Sequence, residues 1–150
     1  MTDLPILFAS EKELISAALQ LGALDVGHGL SEAEKRLAAS SAKQRVSAKR
    51  VALLRDSILS GNDPLGEGFS SIRSAETRRS DGATYTPEGI VQSMVQWAAN
   101  NSSPSRVVDP GVGSGRFLSA AGRAFPNAQL VGIDVDPVAT LMARANLCVN

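Results

Sequence analysis

Apolar side chains recur at helical spacing behind Ser10: Leu14, Ile15, Ala18, Leu19 and Leu21 fall on one stripe, the spacing of a helix that buries one face. Ser10 and Glu13 stand in the relation of a capping box and Gly22 offers a stop, so a short first helix is predicted. The box repeats at Ser31 and Glu34, and the Ala-, Lys- and Arg-rich stretch running to about Ser60 puts Val51, Leu54 and Ile58 on one face ahead of Gly61. High helix propensity throughout predicts one long helix there. Residues 61–82, GNDPLGEGFSSIRSAETRRSDG, are dense in Gly, Ser, Asp and Pro, which predicts a connection with one helical turn near Ala75–Arg79.

Beyond that stretch the rhythm changes. Thr86 and Pro87 read as N-cap and first residue of an amphipathic helix carrying Ile90, Val91, Met94, Val95 and Ala98 and ending near Asn100 and Asn101. SRVVD reads as a buried strand, SGRFLSAAGRAF as a helix stopped by Pro126, and AQLVGIDV as a second strand, with Asp136 and Pro137 starting a last helix. Helix, strand, helix, strand, helix is the crossover unit of a parallel sheet. The predicted class is α/β, with a helical N-terminal region and linker over residues 1–80 and a sheet-bearing region over residues 81–150.

With 150 residues, 43% of them hydrophobic, the chain suits an ordinary globular domain and excludes collagen, coil and wholesale disorder. The 15 basic and 15 acidic residues cancel, but residues 31–80 hold ten Lys or Arg against six acids. On a single long helix Arg36, Lys43 and Arg50, seven apart, share a face that Lys35, Arg45 and Lys49 widen. Such a stripe meets nucleic-acid phosphates or simply faces water; Glu32, Glu34 and Asp56 lie among these cations and no aromatic residue does, and both readings stay open. The single Cys148 excludes an internal disulfide and a multi-cysteine zinc site, and reads as a small buried apolar group. MTDLPILFAS lacks the basic start and the apolar length of a signal or membrane span, so a cytoplasmic protein without a membrane partner is expected. His28, between two glycines, reads as turn decoration, and no metal is expected.

The candidate chemistry lies in VVDPGVGSGRFL, residues 107–118. A chain passing from strand to helix turns tightly there and lets a ligand approach the helix N-terminus; Gly111, Gly113 and Gly115 are expected at positive φ, with no Cβ to hold a ligand away. The spacing is not G-x-G-x-x-G, and no Gly-Lys-Ser or Gly-Lys-Thr follows, so neither a dinucleotide fingerprint nor a P-loop fits. What remains is an acid at each strand end, Asp109 and Asp134. An acid before the loop repels a pyrophosphate and attracts an ammonium group, and an acid ending the next strand accepts ribose hydroxyls. Those demands describe S-adenosyl-L-methionine; a turn built for packing alone is the competing reading. Asp136 is expected to cap the helix at Pro137.

DPGVGSG and GIDVDP resemble the first two motifs of class I S-adenosylmethionine-dependent methyltransferases. Upstream, GATYTPEGIVQSMV is similar to the segment preceding the glycine loop in the N6-adenine-specific DNA methyltransferases of restriction-modification systems, and the resemblance covers about residues 75–150. It implies an incomplete Rossmann-like methyltransferase fold, the first strands of a doubly wound sheet, and methyl transfer to N6 of adenine in double-stranded DNA. It further implies that Tyr85 and Thr86 lie against the methionine carboxylate, Asp109 takes the methionine amino group, Gly111, Gly113 and Gly115 line the methionine, and Asp134 holds the ribose hydroxyls. Ile133 and Val135 are assigned to no site. The family's acceptor motif, Asn, Asp or Ser before Pro-Pro and Tyr or Phe, is absent, since the chain has no Pro-Pro dipeptide. No residue is therefore given a catalytic role, and the chain reads as the leading or truncated part of such an enzyme, inactive alone. Two alternatives stand beside this: the same cofactor with an RNA or protein glutamine acceptor, and a non-catalytic interaction module with a degenerate methyltransferase fold.

Overall fold

Side-chain oxygens set where the N-terminal helices begin. The computed structural model describes residues 8–73 and 86–150 and opens with α1 (Glu11–Gln20). The Ser10 hydroxyl accepts the Glu13 N–H at 3.2 Å, and the Glu13 carboxylate reaches back to the Ala9 N–H at 2.7 Å. α2 (Glu32–Ser41) has the full predicted box, Ser31 and Glu34 each accepting the other's backbone N–H.

The predicted long helix from Ser31 to Ser60 is two helices, α2 and α3 (Ala48–Leu59). Between them the Ser41 carbonyl accepts the Gln44 N–H at 3.0 Å, the Ser16 hydroxyl donates to the Gln44 carbonyl, and Ser47 caps a fresh start by accepting the Arg50 N–H at 3.3 Å. Local and tertiary hydrogen bonds thus override propensity in the intervening residues. Arg36, Lys43 and Arg50 consequently share no helix face: Lys43 lies in the break, and Arg50 is ion-paired with Glu13 at 2.7 Å.

The stretch predicted as a connection contains a buried helix, α4 (Pro64–Ile72). Asp63 accepts the Gly66 N–H at 2.9 Å and Pro64 occupies the first turn, a start signal hidden among glycines that suggested a loop. Those glycines admit neighbours: a Cβ on Gly68 would lie 2.3 Å from the Phe8 ring. The turn expected at Ala75–Arg79 falls outside the described residues.

α5 (Glu88–Asn101) follows, with Pro87 rather than Thr86 at the N-cap and no side-chain cap bond; Pro87 itself adopts the extended conformation, φ −56° and ψ 141°, which moves the start one residue on. β1 (Arg106–Asp109) and β2 (Gln129–Gly132) then pair in parallel, Arg106 opposite Gln129 and Asp109 opposite Gly132, across the crossover helix α6 (Arg116–Ala124). Val107 and Leu130 pack with Val112, Leu118 and Ala143. Val108, on the other face, is more than half exposed, so β1 is covered on one side and is not the buried strand its apolar run suggested.

α7 (Pro137–Val149), capped by Asp136 as predicted, joins the two layers. Its Leu141 and Met142 share one core with Leu14 and Ile15 of α1, Leu54 of α3, and Leu65 and Phe69 of α4, while Ala143 packs towards the glycine turn. Cys148 is half-buried rather than fully buried; it lies under Gly22, where a Cβ would come within 2.5 Å of its Sγ. No helix among the described residues is long and apolar enough to cross a membrane.

Arg144 pins α7 to the α1–α2 connection, meeting the Glu34 carboxylate at 2.9 Å and the Val26 and Gly29 carbonyls at 2.5 and 2.7 Å. Burial raises the Glu34 pKa, but hydrogen bonds from Ser31 and the charge of Arg144 outweigh it and hold the group below its ordinary range. A depressed carboxyl stabilises the fold fully above its ordinary pKa, 4.5 for this Glu, and progressively less as pH falls through the folded value. Urea unfolding from pH 7 down to pH 3 should therefore show a steeper acid loss in the natural protein than in Glu34→Gln; identical slopes would remove Glu34 from the linkage.

Candidate functional site

Parallel pairing brings the carboxyl ends of both strands to one edge, and the hydrogen bonding continues past them. The Ile133 N–H donates to the Asp109 carbonyl at 2.9 Å and the Val112 N–H to the Ile133 carbonyl at 3.0 Å. The glycine turn is thereby stitched to the segment carrying Asp134.

Asp109 Oδ1 accepts the Gly111 N–H at 3.2 Å, and its second oxygen takes no hydrogen bond from the described residues. Gly113, at φ +52°, donates its N–H to Asp134 Oδ2 at 2.8 Å, while Asp134 Oδ1 accepts the Asp136 N–H at 2.9 Å. Gly115 sits at φ +90° as the N-cap of α6, with no side chain capping the helix start. A Cβ there would come within 3.2 Å of Ala143 Cα and Cβ, so this glycine serves the fit of α7 against the turn. Gly111 is not at positive φ, contrary to expectation; it is exposed, and a Cβ added to it would meet nothing within 4 Å.

Direct hydrogen bonds thus pair Asp109 with Gly111 and Asp134 with Gly113. The two acids nevertheless open on different recesses. Asp109 borders a groove between α5, β1 and α6 that Met94, Val95, Val107 and Phe117 line. Asp134 borders another, lined by Val112, Gly132, Ile133 and Thr140. Thr86 is tied in from a distance, its carbonyl accepting Arg116 Nη1 at 3.1 Å. Tyr85 lies outside the described residues. Ile133 and Val135, on either side of Asp134, are exposed, Val135 at 90%.

The sequence profile described as N-6 DNA Methylase matches residues 66–150, more than half of the chain. The chain belongs to the N-6 DNA methylase family. The match begins at Gly66, so most of α4, read from composition as a connection, belongs to the family's matched region. Among curated relatives, the Type II methyltransferase M.XamI of Xanthomonas campestris pv. amaranthicola is 42% identical over 146 residues, 92% of this chain and 26% of that protein. The Type II methyltransferase M.CvrRI of Paramecium bursaria Chlorella virus XZ-6E is 25% identical over 72 residues, 48% of this chain and 19% of that protein. The chain therefore spans about a quarter of the former's length or less of the latter's. No solved structure matches significantly.

Beside the N-6 DNA methylase turn lies a polar cluster that sequence reading missed. Asp63, Ser114 and Asn146 are all buried, with the Arg116 guanidinium against Asp63 at 2.7 Å. Asp63 fell within the stretch predicted as a connection, and Arg116 within the helix predicted over SGRFLSAAGRAF. Nothing in their spacing of 53 positions connects them.

Proposed function

We propose that the chain supplies the first half of the S-adenosyl-L-methionine-binding domain of a DNA methyltransferase that modifies N6 of adenine in double-stranded DNA. In this reading residues 81–150 contribute the opening strands of a Rossmann-like sheet, and residues 1–80 are the helical N-terminal region, whose α1, α3 and α4 pack onto α7. The observation that carries it is the pairing of each strand-end carboxylate with a glycine N–H, Asp109 with Gly111 and Asp134 with Gly113, which makes an acidic, uncluttered turn.

The residues fit the cofactor's chemistry. The open oxygen of Asp109 suits an ammonium group. Each Asp134 oxygen accepts one backbone N–H and keeps a second lone-pair direction for a ribose hydroxyl. Gly111 leaves room for close approach, as the bare backbone beside it requires. Arg116, the cation nearest the turn in sequence, is paired with Asp63 and Thr86, which favours a sulfonium over a pyrophosphate at the turn. Exposed Ile133 and Val135 offer apolar cover for a purine. Bound there, S-adenosyl-L-methionine supplies an electrophilic methyl group. This chain's residues bind and orient its two ends; Tyr85 and Thr86, by family resemblance, take the carboxylate. No residue here is assigned to hold the target base, since the acceptor motif is not among these residues.

Asp134 has two tasks in this reading, holding the turn and holding the ribose. Asp134→Ala should accordingly weaken cofactor binding by about 1–3 kcal/mol, on the order of tenfold to a hundredfold in Kd. The activity is tested by incubating the natural full-length protein with methyl-labelled S-adenosyl-L-methionine and duplex DNA, then digesting to nucleosides. Label is expected in N6-methyladenine and should fall sharply in Asp134→Ala. Label recovered in RNA or in a protein substrate, with none in DNA, would replace the DNA reading by the alternative acceptor.

A further inference from the structure

Four donors from four places converge on the Asp63 carboxylate. The Gly66 N–H of α4 and Asn146 Nδ2 of α7 bond Oδ1 at 2.9 and 3.0 Å; the Ser114 hydroxyl of the glycine turn and Arg116 Nε of α6 bond Oδ2, the latter at 2.7 Å. Asn146 Nδ2 also reaches the Ser114 carbonyl at 2.8 Å. Asp63 is 6%, Ser114 1% and Asn146 4% exposed. The same guanidinium that meets Asp63 bonds the Thr86 carbonyl at 3.1 Å.

A buried ion pair of this kind gains little stability over well-packed apolar groups, because desolvation offsets the attraction, yet it demands one geometry. Here the geometry is that of two segments distant in sequence, the glycine turn through Ser114 and the segment at Thr86. The packing leaves no slack: a Cβ on Gly66 would lie 2.1 Å from Asp63 Oδ2 and 2.7 Å from Ser114 Oγ. The pairing also has an electrostatic side. Asp63 balances a cation that would otherwise stand next to a site for a positively charged ligand.

We propose that Asp63 and Arg116 are positioning residues for the cofactor, through which the helical N-terminal region sets the spacing between the glycine turn and the Thr86 segment; this rests on the cofactor reading given above. Neither residue need touch the ligand. Asp63 lies outside the family-matched residues 66–150, so the N-terminal region contributes to the cofactor site by way of a contact that the matched residues do not contain.

The test uses the natural full-length protein and calorimetric titration with S-adenosyl-L-methionine, with thermal unfolding of each variant alongside. Asp63→Asn, nearly isosteric, should raise Kd about tenfold or more, the scale of a lost charge-assisted hydrogen bond. Arg116→Met should do the same, whereas Arg116→Lys, which keeps the charge but not the fork that spans Asp63 and the Thr86 carbonyl, should recover only part of the affinity. The double variant should bind no more weakly than the worse single one, as expected for residues acting as a unit. Arg50→Met is the control: Arg50, ion-paired with Glu13 at 2.7 Å between α3 and α1, lines neither the recess at Asp109 nor the one at Asp134, and should lower the melting temperature while leaving Kd within twofold. Asp63→Asn and Arg116→Met variants that melt lower but bind with unchanged Kd would overturn the proposal, leaving the pair a purely structural one. Failure of the unaltered protein to bind would instead refute the cofactor reading beneath it.

Discussion

Gly115→Ala is expected to destabilise the protein by about 2–5 kcal/mol and to cost it measurable cofactor binding. Two effects add. An L-residue in the left-handed region that Gly115 occupies, φ +90°, is disfavoured by roughly 1–2 kcal/mol. The new methyl would also stand 3.2 Å from the Cα and Cβ of Ala143, in the middle of α7, where the opposing atoms are fixed by the helix; overpacking of that kind costs roughly 1–3 kcal/mol. Relief comes only by moving the turn, and the turn carries the Gly113 N–H to Asp134. Urea unfolding and cofactor titration check the two parts separately. A stability change below half a kcal/mol would mean that the turn relaxes freely and does not fix the site. Gly111→Ala offers the contrast: with open space and no positive φ, it should leave stability nearly unchanged and affect binding alone.

The second large effect is Leu141→Ala, expected to cost about 2–5 kcal/mol. Leu141 is fully buried in the core that α7 shares with α1, α3 and α4. The loss should therefore reach both layers. In hydrogen exchange, amides of α1 and of α7 should lose protection together. If α7 became labile while α1 kept its protection, the helical layer would be an independent unit, and the shared core would be of little energetic consequence.

Much of this was legible in the sequence where structure is local. The Ser10 cap, the capping box at Ser31, the Asp136 cap before Pro137 and the strand–helix–strand order follow from short-range rules, and the structure has them; at Ser10 the reciprocal bond from Glu13 goes to the Ala9 N–H instead. The carboxylates at both strand ends were visible as well, because strand ends and glycine turns are close together in sequence. Legibility stopped where distant residues decide. The break between α2 and α3 depends on Ser16, 28 residues away from Gln44. The helix at Pro64 is held by burial of Leu65 and Phe69, which outweighs its glycines. Gly115, read as a ligand-lining position, also packs against Ala143 of α7, a contact with no signal in the sequence around it. Asp63 with Arg116 is a wholly tertiary arrangement, with no signal in composition or spacing.

Whether the acidic glycine turn takes a sulfonium nucleoside is decided by titrating the natural full-length protein with S-adenosyl-L-methionine and, separately, with NAD. Saturable heat is expected from the sulfonium cofactor, diminished in Asp134→Ala, and none from the dinucleotide. Saturable binding of NAD that Asp134→Ala weakens, with S-adenosyl-L-methionine inert, would contradict that expectation.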